Sequence, residues 1–100
     1  MHIYRAKVKR VVDGDTVDFD VDLGFNIAIR IRTRLLGVDT PERGHVDWAK
    51  ATSVLTNLLN EQQDEEGYLV IETKKTGKYG RWLVDIKGVN ESLAKVWPYE

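Results

Sequence analysis

The first third of the chain alternates apolar and polar residues with a period of two, the signature of half-buried β-strands. Ile3 to Val12 reads as a first strand. From Thr16 to Leu23 the alternation is strict: Val17, Phe19, Val21 and Leu23 share one face, and Asp18, Asp20 and Asp22 the other. Ile27 to Leu36 repeats it, with Ile27, Ile29 and Ile31 against Arg30, Arg32 and Arg34. Gly24-Phe25-Asn26 between the two runs predicts a short hairpin loop. If Leu23 pairs with Ile27, then Val21 faces Ile29, Phe19 faces Ile31 and Val17 faces Thr33. On the other face Asp20 meets Arg30 and Asp18 meets Arg32. Both faces are matched in this register, and such cross-strand pairs contribute about 0.2–1 kcal/mol each. Arg34 falls opposite Thr16 and alone of the three arginines has no facing carboxylate.

The rest of the chain changes period. After a loop from Gly37 to Val46, Asp47 is an expected N-cap for a helix from Trp48 to about Gln62. Its apolar stripe is Trp48, Ala51, Leu55, Leu58 and Leu59, at helical spacing. Asp64-Glu65-Glu66-Gly67 breaks the chain. Tyr68 to Thr73 reads as a fourth strand, Lys74 to Gly80 as a basic turn, and Arg81 to Lys87 as a fifth strand. Val89 to about Val96 predicts a short helix ended by Pro98. The expected fold is therefore mainly β with helices (α+β). It is a five-stranded OB-fold-like Greek-key barrel, with one main helix between strands three and four and a short C-terminal helix.

Composition narrows the classes. One hundred residues, 42% hydrophobic and 31% charged, suit one globular domain over residues 1–100. No apolar run approaches the roughly 18 residues of a membrane span, so no membrane partner is expected. The opening residues carry no apolar signal segment, which leans toward a cytoplasmic setting, in a host or a phage-infected cell. The absence of cysteine excludes disulfides, thiolate–zinc sites and thiol catalysis. A net charge of −1 means that any polyanion must be met by a local patch rather than by bulk charge. A monomer is expected.

Unusual polar residues concentrate at strand ends and in loops. Asp13-Gly14-Asp15-Thr16, taken alone, is a tight turn. In Arg34-Leu35-Leu36-Gly37-Val38-Asp39-Thr40-Pro41-Glu42, Thr40 and Pro41 could simply start a helix. Yet Asp39 and Glu42 stand three apart on a proline-stiffened loop, and with Asp15 they supply three carboxylates able to converge on one cation. Oxygen-only ligation suits a hard ion such as Ca²⁺ or Mg²⁺. Lys74 to Arg81 is by itself a solvated charged turn. The functional alternative is a phosphate grip with an aromatic able to stack on a base. Trp97 and Tyr99 in the tail read first as packing residues. A plain ladder sets Asp15 and Arg34 on opposite sheet faces, so their meeting at one phosphate requires a bulge near Thr33 or strong twist at the barrel rim.

Together, Val12-Asp13-Gly14-Asp15-Thr16, Arg34 to Glu42, Lys78-Tyr79-Gly80-Arg81 and Val89-Asn90-Glu91-Ser92-Leu93 resemble the staphylococcal nuclease (thermonuclease) family, in its order and near its spacing. The resemblance runs from about Val8 to Leu93. It implies an OB-like barrel and a Ca²⁺-dependent nuclease acting on DNA and RNA, with single strands favoured. By motif, Asp15 and Asp39 match the carboxylate calcium ligands, and Thr40 adds its backbone carbonyl. Asp13 is a nearby acid outside the ligand set. Glu42 matches the general base for the attacking water, Arg34 and Arg81 the two phosphate-binding arginines, and Lys78 and Tyr79 the contacts to a terminal phosphate. The competing readings are a non-catalytic nucleic-acid-binding barrel and a truncated, weakly active nuclease.

Overall fold

In the computed structural model, which describes residues 2–76 and 81–98, the hairpin register is the one the alternation predicts. Strand β2 (Thr16–Asp22) pairs antiparallel with β3 (Ala28–Leu35) from Thr16↔Arg34 to Asp22↔Ala28 without a shift. The loop is closed by Leu23 N–H donating to Ile27 O and Ile27 N–H donating to Gly24 O, each at 2.9 Å. Three consecutive residues there, Gly24, Phe25 and Asn26, have φ of 82°, 55° and 61°. Gly and Asn adopt this left-handed region readily; a bulky Phe does so only under strain.

Around this hairpin the other elements are β1 (His2–Asp13), α1 (Trp48–Gln62), β4 (Tyr68–Thr76), β5 (Trp82–Asp85) and α2 (Asn90–Ala94). The strands close a barrel in the order β1-β2-β3-β5-β4, with β4 returning to β1. Only the β3–β5 contact is parallel. This is the five-stranded barrel expected, here with a mixed sheet, the main helix after the third strand and the short one at the C-terminal end. Strand ends differ modestly: β4 runs on to Thr76 through a register shift between Thr73 and Lys75, and β5 is trimmed to four residues.

The core is built from alternating residues of the strands and one stripe of α1. Val17, Phe19 and Val21 from β2 are buried with Leu35, Leu69, Ile71 and Val84, and Leu55 and Leu59 close the barrel from α1. Each large apolar side chain so buried contributes about 1.5–3 kcal/mol. Trp48 and Leu58, expected in the same stripe, are only partly buried. Ile27 and Ile29 remain 53% and 46% exposed, because the hairpin extends beyond the barrel it helps to form. Asp47 precedes α1, but its side chain makes no capping bond; its own N–H donates to His45 Nδ1 at 3.1 Å. No helix begins at Thr40–Pro41, where the backbone is a loop.

The chain after β3 is tied down by Asn90. Its Oδ1 accepts the Ile86 N–H at 2.9 Å, and its Nδ2 donates to Leu36 O at 2.8 Å and Val84 O at 3.0 Å. One buried amide thus joins the end of β3, the end of β5 and the start of α2. The tail adds a second clamp: Trp97 O accepts the Asp39 N–H at 2.9 Å, and Val38 bridges Pro98. Trp97 also packs against the core, as expected, while Tyr99 lies outside the described residues. Replacing Asn90 by Ala strands Leu36 O and Ile86 N–H away from water at about 1–3 kcal/mol each. We therefore expect Asn90→Ala to lower unfolding free energy by roughly 3 kcal/mol in a urea titration, with unchanged stability as the contrary result.

Candidate active site

The site begins in the turn between β1 and β2. Two irregularities in β1, between Val8 and Arg10 and between Val11 and Asp13, bend the strand before it reaches the turn. Bulges of this kind re-aim side chains at barrel rims. Asp13, at the end of β1, accepts a 2.7 Å hydrogen bond from the Trp48 indole Nε1 of α1. Gly14 follows, buried against that helix. A Cβ placed on it would stand 2.7 Å from Ala51 Cβ and 2.8 Å from Thr40 Oγ1, so only glycine fits. Asp15 O then accepts the Leu35 N–H at 2.8 Å, locking the turn to the end of β3.

The meeting of Asp15 with Arg34 does not come from a bulge near Thr33, since the β2–β3 register is unbroken there. Asp15 belongs to the turn rather than to the ladder, so alternation does not govern its side chain. Arg34 Nη2 lies 3.6 Å from Asp15 Oδ2 and 3.4 Å from Asp39 Oδ1. One guanidinium therefore serves two carboxylates.

Asp15 is 7% exposed. Its Oδ1 accepts the Thr16 hydroxyl at 3.2 Å, and its Oδ2 the Thr40 N–H at 3.4 Å. Burial nevertheless pushes its carboxyl above the usual range, and the Asp13 charge adds to the rise. The Arg34 guanidinium and the Thr40 and Thr16 hydrogen bonds offset part of it. Thr40 Oγ1, also buried, has no hydrogen-bond partner.

Seven of the nine residues singled out from the sequence line one open cleft of about 320 Å³. Arg34 and Arg81 come from or flank β3 and β5, Asp13 and Asp15 from the first turn, and Asp39, Thr40 and Glu42 from the loop after β3. Lys78 and Tyr79 lie outside the described residues. The three carboxylates expected to converge do not form a ready cluster: among the described residues no group of three or more His, Asp or Glu side chains could hold a metal ion. Instead the Arg34 guanidinium stands between Asp15 and Asp39.

Two contributions escaped the sequence reading. Arg43 also lines the cleft, with its guanidinium 5.3 Å over the Trp48 ring. Trp48 itself, assigned to the core stripe, is the donor that fixes Asp13. The available signal was the five-residue spacing between an arginine and a tryptophan in a short loop.

The sign of the Asp15 shift yields a stability prediction. A carboxyl whose folded pKa is raised opposes folding at any pH above that value, and the opposition disappears as pH falls below the unfolded value of 3.8. Asp15→Asn is therefore expected to melt at a higher temperature than the parent at pH 7 without divalent cations, the difference vanishing near pH 3. A lower melting temperature at pH 7 would contradict a net desolvation cost.

Comparison with known proteins adds a relationship in sequence. No family model matches the chain. It is 31% identical to Protein ParB of Escherichia coli over 90 residues, covering 90% of this chain and 45% of that protein. It is 32% identical to micrococcal nuclease of Shigella flexneri over 80 residues, covering 80% of this chain and 40% of that protein. The chain thus spans less than half the length of these curated relatives, and its similarity to the micrococcal nuclease is a nuclease-like relationship in sequence.

Proposed function

We propose that this chain hydrolyses phosphodiester bonds of nucleic acid with the help of Ca²⁺. The observation that carries the reading is the convergence of Asp15, Asp39, Glu42, Arg34 and Arg81 on one cleft. Its support from outside the structure is the 32% identity to a micrococcal nuclease.

The donor set suits a hard cation. Asp15 and Asp39 offer oxygen only, already share one positive group, and include a carboxyl whose charge is costly where it stands. These two side chains, with the Thr40 backbone carbonyl, would hold the ion, and substrate and water would complete its shell. When bound, the ion supplies positive charge to a phosphate oxygen and helps to align the reacting groups.

The protein's own side chains do the rest. Arg34 and Arg81 donate N–H groups to the non-bridging oxygens, and their planar forks match the charge that redistributes in the transition state. Glu42, exposed on the loop after Pro41, accepts a proton from the attacking water on a carboxylate oxygen as the water oxygen bonds to phosphorus and the ester P–O bond breaks, the leaving oxygen taking its proton from solvent. Without an ion the Arg34 guanidinium rests beside Asp15 and Asp39, already at the cleft where a phosphate would enter.

Single-stranded DNA incubated with the protein and Ca²⁺ should be cut, and chelation should stop the cutting. Glu42→Gln and Arg81→Ala should each lower the rate by about 10²–10³ while leaving the fold intact. A folded protein that binds the strand without cutting it would instead indicate a non-catalytic binding barrel. Arg34→Lys keeps the charge and loses the fork; it should cost about 100-fold or more in rate, and near-parental turnover would remove Arg34 from the mechanism.

A further inference from the structure

The outer face of the first three strands is ordered in charge. Lys7 of β1 stands opposite Asp20 of β2, which stands opposite Arg30 of β3. In the next row Arg10, Asp18 and Arg32 repeat the pattern, and the row after that ends in Arg34 at the cleft. Lys9, the extra residue of the first β1 bulge, adds a cation to the same face, and its charge and that of Arg10 both act on the acids of β2. The first two rows therefore each carry an excess positive charge, on a chain whose net charge is −1, while the third, Asp13–Thr16–Arg34, is balanced.

The β3 arginines are held in place without being covered. Arg32 grips Asp18 with Nε at 2.8 Å and Nη2 at 3.2 Å, and Arg30 Nε donates to Asp20 at 2.9 Å. Their side chains remain 52% and 58% exposed. A guanidinium has five N–H donors, so each fork keeps donors that these bonds do not use. Arg30, Arg32 and Arg34 alternate along one face of a regular strand, so they form a straight line leading out of the cleft.

That line ends beside a pocket that holds two aromatic side chains, Phe25 and Tyr68. The pocket, open and of about 510 Å³ beside the hairpin loop, is lined by Lys7, Tyr68 and Phe25, with Asp20 and Asp22 also on its wall. The Tyr68 ring lies 4.2 Å from the Arg5 guanidinium and 4.7 Å from Lys7 Nζ. Phe25 is 96% exposed and held at positive φ, a position that serves no packing purpose within the described residues. From Arg34 to the loop end of β3 is six residues, about 20 Å of strand.

We propose that the outer face of β3 is a track for single-stranded nucleic acid. A strand whose phosphate is seated at Arg34 continues past Arg32 and Arg30, and a base beyond them stacks on Phe25. The charge excess of the Lys7–Asp20–Arg30 and Arg10–Asp18–Arg32 rows is complementary to a phosphate backbone, and the exposed Phe25 ring can stack on an unstacked base face, which a duplex does not offer. The inference rests on the nuclease reading for the identity of the cleft end. It goes beyond that reading by assigning the residues that select a single strand several nucleotides long.

The test is fluorescence anisotropy of a labelled ten-nucleotide single strand, with chelator present so that nothing is cut. Arg30→Gln/Arg32→Gln should weaken binding about tenfold at low salt and reduce the salt slope by about 1.4, the loss of two phosphate contacts. Lys87→Gln/Lys95→Gln removes the same charge elsewhere and should change affinity less than about twofold. Asp18→Asn/Asp20→Asn should tighten binding, which keeps the test decisive if the arginine variant folds poorly. Phe25→Ser should weaken binding at least fivefold with the salt slope unchanged. Equal losses in the two cation-removing variants, an unaffected Phe25→Ser protein, no binding by the parent, or tighter binding of a duplex would each overturn the track. Failure of the nuclease reading would look different: track-dependent binding with no cleavage when Ca²⁺ is restored. Cleavage with binding insensitive to Arg30, Arg32 and Phe25 would remove the track and leave the nuclease.

Discussion

Everything at the cleft depends on how closely the first turn approaches helix α1. Gly14 sits where a methyl group would overlap Ala51 and Thr40, so the turn and the helix meet through two of the smallest residues available. That approach lets Trp48 reach Asp13, Asp15 reach the Thr40 N–H, and the Asp15 carbonyl reach the end of β3. A turn displaced by even the width of a methyl group would separate Asp15 from Arg34 and Thr40 together. The acid that faces the cleft is thus placed by a packing constraint before any electrostatic one acts.

Electrostatics then works against stability at that point. Asp15 is buried with partners that only partly offset its desolvation, and a like charge stands nearby on Asp13. Asp18 and Asp20 show the opposite behaviour a few residues away: their arginine partners hold their carboxyls below the ordinary range. The same residue type in one strand region therefore serves two ends. The outer pairs fasten the hairpin, whereas burial disfavours a negative charge on Asp15, and the fold alone gains nothing from placing a carboxyl there. Strain of this kind concentrates where a protein meets its ligands.

Much of the barrel was legible because β2 and β3 alternate strictly on both faces and their loop is too short to allow another register. The α1 stripe was legible for the same kind of reason. The limits were also physical. Ile27 and Ile29 fit the apolar face but lie on hairpin that outruns the core, a matter of barrel size that alternation does not encode. The β1 bulges had a trace in the doublets Lys9-Arg10 and Val11-Val12, where two residues of one kind break the alternation. Asp15 was set on the wrong face by counting it as part of the ladder. The cleft residues could be chosen only as an ordered set, since each motif alone is an ordinary turn. The pairing of Asp13 with Trp48 spans 35 positions and has no local signal. Nor did the sequence reveal that Arg34, not a third carboxylate, stands between Asp15 and Asp39.

The short fifth strand has one more effect. It pairs with β3 only from Thr33 to Leu35, so among the described residues no strand covers the far edge of Ala28 to Arg32. That half-strand alternates isoleucine with arginine and presents unpaired backbone donors and acceptors, the arrangement that templates sheet-to-sheet growth. If two copies joined edge to edge there in antiparallel fashion, arginines would be brought alongside arginines, and like charges in facing positions oppose pairing. Arg30 and Arg32 would thereby oppose the joining of this edge to the same edge of a second copy.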